Sequence, residues 1–416
     1  PGDDWIMREQ SVKRNALGLI AATGALALLT SAIGSPAAAR RTPAPVKGEG
    51  QGLKPIAHIP YEGGTDMELA RIKGRDYAFA GDSPSYGTDG GAIRVIDVTK
   101  PARPRVVASL KCAVDQADIQ ISHDKRTLIV AADSGGGPDS CGLFGQQGFL
   151  TIDISNPTKP KVVGKAVVER GSHNTTAHPT KPLVYNSDAD LLKAGEIEIW
   201  SIKNSRKPKL VNTVPSLPHS PHDISFNKKG TMAVTAAISH FDLFDTSNPT
   251  RPRLVYTGQC PGCSITHDAK FTPDGTGLVI GDEAAGGQPY PCPGGALYFY
   301  ELPGGNAAPV PVLTGVYEPG VVFSNNPPQR VSCTSHVFDF SEKGNEIAIS
   351  WYGLGTRHLG IKETIGPTFG DVGVTIEELG WFVPENTDSW SSKFHRGPFI
   401  YANDLNLGFI VYQIKK

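Results

Sequence analysis

Beyond residue 52 the chain alternates apolar and polar positions in short runs, none longer than a strand. In FLTIDISNPTKPKVV (149–163), Leu150, Ile152 and Ile154 fall on one face, Asn156-Pro157 and Pro160 turn the chain, and Val162-Val163 open a new run. Period-two alternation closed by a Pro/Asn turn signals a β-hairpin. The unit recurs as IRVIDVTKPARPRVV from Ile93, IEIWSIKNSRKPKLV from Ile197 and FDLFDTSNPTRPRLV from Phe241. Such self-similarity marks a repeat architecture.

Taking the motif strand as third in each unit, seven copies align: IRVIDV (93), LTIDI (150), IEIWSI (197), FDLFDT (241), LYFYEL (297), a degenerate TRHLGI (356) and FIVYQI (409), about 50 residues apart. A strand ending in small or acidic residues precedes most copies, as in YAFAGD (77–82) and LVIGDE (278–283), and a shorter first strand comes before that, as in DISFN (223–227). Helical periodicity is absent. Four-stranded units repeated at this spacing predict an all-β fold, a seven-bladed β-propeller over residues 53–416. The chain ends on a third strand, and GLKPIAHIP (52–60) has the pattern of a fourth strand. The N-terminal strand is therefore expected to complete the C-terminal blade and close the ring.

IDISNPTKP (152–160) and FDTSNPTRP (244–252) resemble the LVIVD-repeat family, and the C-terminal block from Glu378 is similar to the last blade of its exported bacterial members. The resemblance spans residues 53–416 and implies the propeller fold, with no fixed activity. It departs at LPGGNAAPV (302–310), which lacks the Pro-x-x-Pro turn, and at 361–376, an irregular insertion. The prolines fix φ and blunt an outer strand edge. Asp97, Asp153 and Asp245 precede those turns and are expected to cap them.

Ahead of the repeats, residues 1–6 precede Met7 and are taken as an upstream extension. Arg8, Lys13 and Arg14, the apolar run 16–29 and Ala37-Ala38-Ala39 form the pattern of a secretory signal peptide over 7–39, and 40–52 is expected to be linker. No other stretch could span a membrane. A secreted or cell-surface bacterial protein, monomeric, is the expectation. Forty basic against 41 acidic side chains argue against nucleic-acid binding. No glycine run opens a helix, so no nucleotide cofactor is expected.

Six cysteines in an exported chain point to disulfides. Equivalent positions in the repeats predict Cys112–Cys141 and Cys260–Cys292, which leaves Cys263–Cys333.

In a propeller the first strands line the central channel. Their starts align as Thr65, Ala117, His173, His222, His267, His336 and Trp390, with Asp66, Asp118, Asn174, Asp223, Asp268, Val337 and Ser391 next. The acidic second-strand ends, among them Asp282 and Glu283, and His240 should open on the same face. Two readings of His173, His222, His267 and His336 stand side by side. They could hold a transition metal such as copper or zinc, with carboxylates orienting the rings. Alternatively, each His-Asp pair is a structural hydrogen bond that ties one blade to the next. PHDISF (221–226) and SHVFDF (335–340) are also similar to channel strands of selenium-binding proteins of the methanethiol oxidase type, a likeness that implies histidine-bound copper. The sequence as a whole points to a binding or interaction scaffold for a protein or small-molecule ligand. A metal-dependent oxidoreductase or hydrolase is the alternative.

Overall fold

The computed structural model describes residues 46–415 apart from 88–90, 113, 134–140, 304–309, 321–331 and 366–371. The signal-peptide segment 7–39 and the extension 1–6 lie outside the described residues.

Seven four-stranded antiparallel sheets follow one another in a ring. Blades one to six run in chain order, each strand pairing with the next: Gly64–Leu110, Gln116–Val167, Thr175–Ser216, Asp223–Gly258, Thr266–Tyr317 and Phe338–Pro384. Blade seven takes three strands from Ser389–Ile414 and its fourth from Leu53–Pro60, which pairs antiparallel with Gly408–Ile414 from Leu53↔Ile414 to Pro60↔Gly408. The closing strand is thus where the sequence pattern places it.

Alternation along each strand explains why the sheets stack. In the third strand of blade one, Ile93 and Val95 pack with Ile119, Val130 and Leu150 of blade two. Ile96 and Val98 point the other way, into Tyr401, Phe409 and Val411 of blade seven. Both faces of a sheet are core, so no blade is stable without two neighbours.

Every blade carries a β-bulge between its third and fourth strands. The register shifts at Val95/Ile96, Val162/Gly164, Ile199/Trp200, Leu243/Phe244, Phe299/Tyr300, His358/Leu359 and Pro55/Ala57. An extra residue in the outer strand twists the exposed edge away from flat pairing. The turn caps form as expected: Asp97, Asp153 and Asp245 each accept a backbone N–H two residues on, from Thr99, Ser155 and Ser247.

Three details differ from the sequence reading. Within the expected linker, Gly48–Gln51 is a fifth strand on the outer edge of blade six, paired with Trp381–Pro384. The insertion at 361–376 is not irregular in its described parts, because Thr356–Ile365 and Val372–Pro384 form one long hairpin. Of the disulfides, Cys112–Cys141 forms, but the other two are Cys260–Cys263 and Cys292–Cys333. The Pro-Gly turn brings Cys260 and Cys263 to a Cα separation of 5.4 Å, and the loop holding Cys292 reaches Cys333 in the run into blade six, 4.9 Å away.

Candidate functional site

The first strands ring the channel, and a polar tie crosses each of the seven junctions between them. Asp66 Oδ2 accepts from Ile119 N, Asp118 Oδ2 from Thr175 N, Asp268 Oδ2 from Phe338 N and Asp339 Oδ2 from Phe394 N. Where the carboxylate is missing or turned away, a hydroxyl donates instead: Thr176 to Ile224 O, Ser225 to Ala269 O (a short contact), and Ser391 to Thr65 O. The structural tie belongs to this belt. Asp268 is one of its members, while Asp223 accepts from the adjacent Ile224 N. Both line a lower cavity of about 260 Å³ that also holds Lys270 and Lys393. Lys393 pairs with Asp66 and Glu68, and Lys270 with Asp268. Burial, then the neighbouring Asp268, pushes the Asp223 carboxyl up to about 8.

The histidines stand apart from the belt. His173, His222, His267 and His336 form a continuous arc, with successive ring centroids 4.3, 4.0 and 4.4 Å apart, and Trp390 extends it 4.4 Å beyond His336. Local backbone explains two of these positions. First-strand pairing skips from Thr266↔Asp282 to Asp268↔Gly281 and from Ser389↔Asp404 to Ser391↔Asn403. His267 and Trp390 are therefore bulge residues, released from the ladder and turned to the channel.

Hydrogen-bond partners set the ring protons. His336 Nδ1 donates to Trp390 O at 2.6 Å, which leaves Nε2 as a lone pair facing Glu283 Oε1 at 3.8 Å. His173 Nδ1 donates to Asp133 Oδ2 at 3.2 Å, so its Nε2 accepts from His222 Nε2 at 2.8 Å. That leaves His222 Nδ1 a bare acceptor, and it has no partner. His267 Nδ1 is likewise unpartnered, while its Nε2 lies 3.5 Å from Glu283 Oε2. Burial, reinforced by the neighbouring imidazoles, holds His222 and His267 well below the usual histidine range, and burial brings His336 to about 4. Burial raises Glu283 to about 8 although Tyr352 donates to it at 2.7 Å. Neutral imidazoles are the form that binds metals.

Among the described residues, one group of three or more potential metal ligands converges: His222, His267 and Glu283, whose donor atoms lie within 4.8 Å of one another. It borders a cavity of about 370 Å³ at the channel mouth, lined also by His173, His336, Trp390, Tyr86 and Tyr352. Asp282 and His240 lie outside this lining. Asp282 Oδ1 accepts from Ser264 N and Ile265 N and so fixes a loop. His240 is buried beside Asp242, its Nε2 3.4 Å from Oδ2. Glu283, one position past Asp282, is the acid that reaches the mouth. Tyr86 and Tyr352 were not singled out from sequence, because nothing in the repeat pattern marks loop tyrosines.

No known protein-family model matches the chain, and no curated protein matches it. Solved structures do. The β-propeller domain of Myceliophteria thermophila Cps50 (Swd1) is similar, with a TM-score of 0.59 and 13% identity over 86% of this chain and 99% of that one. Kuenenia stuttgartiensis hydrazine synthase gives a TM-score of 0.59 and 13% identity over 86% and 98%. A functionally unknown protein from Desulfotomaculum acetoxidans gives 0.53 and 13% over 76% and 89%. At this identity the likeness establishes the propeller fold and nothing about activity.

Proposed function

We propose that this protein is a binding scaffold whose ligand-facing surface is the histidine-lined mouth, and that the mouth holds a transition-metal ion. The observation that carries the reading is the convergence of His222, His267 and Glu283, with two buried ring nitrogens lacking a partner. A soft-to-borderline ion such as copper or zinc suits two imidazoles and a carboxylate. His336 Nε2 supplies a further nitrogen at the edge of the set, and Asp133 fixes the tautomer of His173, which in turn accepts from His222 as an outer support.

A second reading follows from the adjoining cavity: three protein ligands leave a coordination position open beside space for a small substrate, the arrangement of a catalytic site. A bound ion there would supply Lewis-acid or redox chemistry for a hydrolase or an oxidoreductase. This chain's own part would be to hold Glu283 through Tyr352 and to keep the imidazoles neutral.

Elemental analysis of the purified protein separates these ideas from a structural arc. About one transition-metal ion per chain is expected, and a His222→Ala/His267→Ala variant with native circular dichroism should lose it. A metal-free wild type that refuses copper and zinc on dialysis, with a variant that is only less stable, would overturn the proposal.

We also infer that the protein is exported and belongs with the LVIVD-repeat propellers. Three disulfides support an oxidising compartment. Among the described residues no helix is long and apolar enough to cross a membrane. N-terminal sequencing of protein recovered outside the cytoplasm should start just after Ala39. Intact leader on cytosolic protein with free thiols would refute export.

A further inference from the structure

Past His336 the mouth changes character. Trp390 meets His336 edge to face, Tyr86 lies 5.5 Å from Trp390, and Tyr352 lies 6.0 Å from Trp390 and 4.7 Å from His336, centroid to centroid. Tyr352, Trp390 and Leu405 form one apolar cluster under this end. Tyr86, 45% exposed, flanks it on the solvent side. Two residues before Trp390, Asp388 lines the same cavity, and its Oδ1 is buried with no hydrogen-bond partner. The other side-chain acids in the lining are Asp66, Asp118 and Glu283, and none of the lining residues is lysine or arginine.

Each feature selects against a class of ligand. An anion would meet carboxylates with no cation to receive it. A metal ion on Asp388 would lack companions, since among the described residues only His222, His267 and Glu283 converge. A neutral aromatic ligand would stack on the rings but leave the buried Asp388 oxygen unanswered, which costs free energy. A cation that is itself weakly hydrated answers both, because aromatic faces attract it and the carboxylate neutralises it.

We propose that Tyr86, Tyr352, Trp390 and Asp388 form a subsite for a small organic ammonium ion. The subsite rests on the reading of the mouth as the ligand-binding face, though not on the metal, whose ligands are different residues. In the free protein burial, then Asp404, pushes Asp388 up to about 7, and a cation against Oδ1 would draw its proton off. The cavity of about 370 Å³ suits an ammonium with a short substituent that reaches along the arc toward His267.

The test is calorimetric titration with choline, with butylammonium and with 3,3-dimethylbutanol, the uncharged carbon analogue of choline. Each is run on chelator-treated protein and on protein loaded with copper or zinc. Saturable binding of one or both cations is expected, with the alcohol at least about tenfold weaker. Asp388→Asn, which keeps the side-chain volume, and Trp390→Ala should each weaken the cation about tenfold or more. Trp390→Phe keeps a ring and should bind in between, which guards against a folding defect in the alanine variant. No saturable cation binding by folded protein, or equal binding of the alcohol, would overturn the subsite. Cation binding without metal uptake would leave the subsite standing while the metal reading falls, and metal uptake without cation binding would do the reverse.

Discussion

At the scale of single residues, the repeat motif and the channel motif make opposite use of polar side chains. Asp97 is almost fully buried, and burial alone would raise its pKa. The Thr99 N–H and the Arg75 guanidinium outweigh that and hold it at about 2. Its folded pKa lies below the ordinary 3.8, so its stabilisation is complete above about pH 4 and disappears as pH falls toward 2. Asp97→Asn should therefore cost about 1–2 kcal/mol in denaturant unfolding at pH 7, with Arg75 and Arg105 too exposed to add much. The gap between variant and wild type should close below pH 3. A gap unchanged down to pH 2 would mean that shape and not charge sets the residue's contribution. In the channel, the residue pair His-Asp was legible as a unit, but its division of labour was not. The Asp in several blades accepts a neighbour's N–H, which any turn or belt can ask of a carboxylate. His267 is freed from the ladder by a bulge whose register no sequence pattern states. Glu283 sits beside Asp282 in sequence, and only the fold decides that one caps a loop while the other faces the imidazoles.

At the scale of elements, what could be read from the chain was the strand count, because period-two alternation and a Pro turn are local. Even TRHLGI, stripped of the proline turn, is a third strand in register with its neighbours. The disulfides were legible in one pair of three, for the opposite reason. Cys112–Cys141 obeys the repeat, whereas the loop carrying Cys292 leaves its own blade and meets Cys333, a contact between units. Peptide mapping of unreduced protein should return Cys112–Cys141, Cys260–Cys263 and Cys292–Cys333 and no Cys260–Cys292 peptide. Cys112→Ser/Cys141→Ser opens a covalent loop of 29 residues and should lower stability by about 3–4 kcal/mol. The two N-terminal strands should differ sharply on truncation. Gly48–Gln51 is exposed along its length, so a protein starting at Gly52 should keep its melting temperature within a few degrees. Starting at Tyr61 removes Leu53–Pro60, strips Gly408–Ile414 of its partner and leaves a raw edge beside the ring closure. That shorter protein should be largely insoluble, and a well-behaved monomer with native circular dichroism would show that the ring closes without it.

At the scale of the whole molecule, the ring is closed twice over: by polar ties between first strands, present at all seven junctions, and by the Leu53–Pro60 strand, which completes blade seven from the other end of the chain. Six junctions are held by the chain that runs from one blade into the next. The seventh, between blades seven and one, is bridged as well, because the Leu53–Pro60 strand belongs to blade seven and the chain runs on from it to start blade one at Gly64. The break between the two ends therefore falls inside blade seven, between its third and fourth strands. This break can be moved from inside a blade to a junction. Leu53 lies opposite Ile414, so a short turn from Lys415 to Leu53 would complete an ordinary third-to-fourth-strand hairpin. New ends can be cut in the exposed link at Leu217, between blades three and four. The permutant keeps every blade, every disulfide and the Thr176–Ile224 tie, but no chain bridges its open junction. It should reach the native fold and bind metal and ammonium as the parent does. Its unfolding should be faster by at least about tenfold at equal denaturant, because blades three and four can part without breaking a sheet. Opening of a junction is rate-limiting in that picture. Equal unfolding rates would instead place the barrier in the stacked sheet faces, and the bridging chain would then matter for folding to the ring but not for keeping it shut.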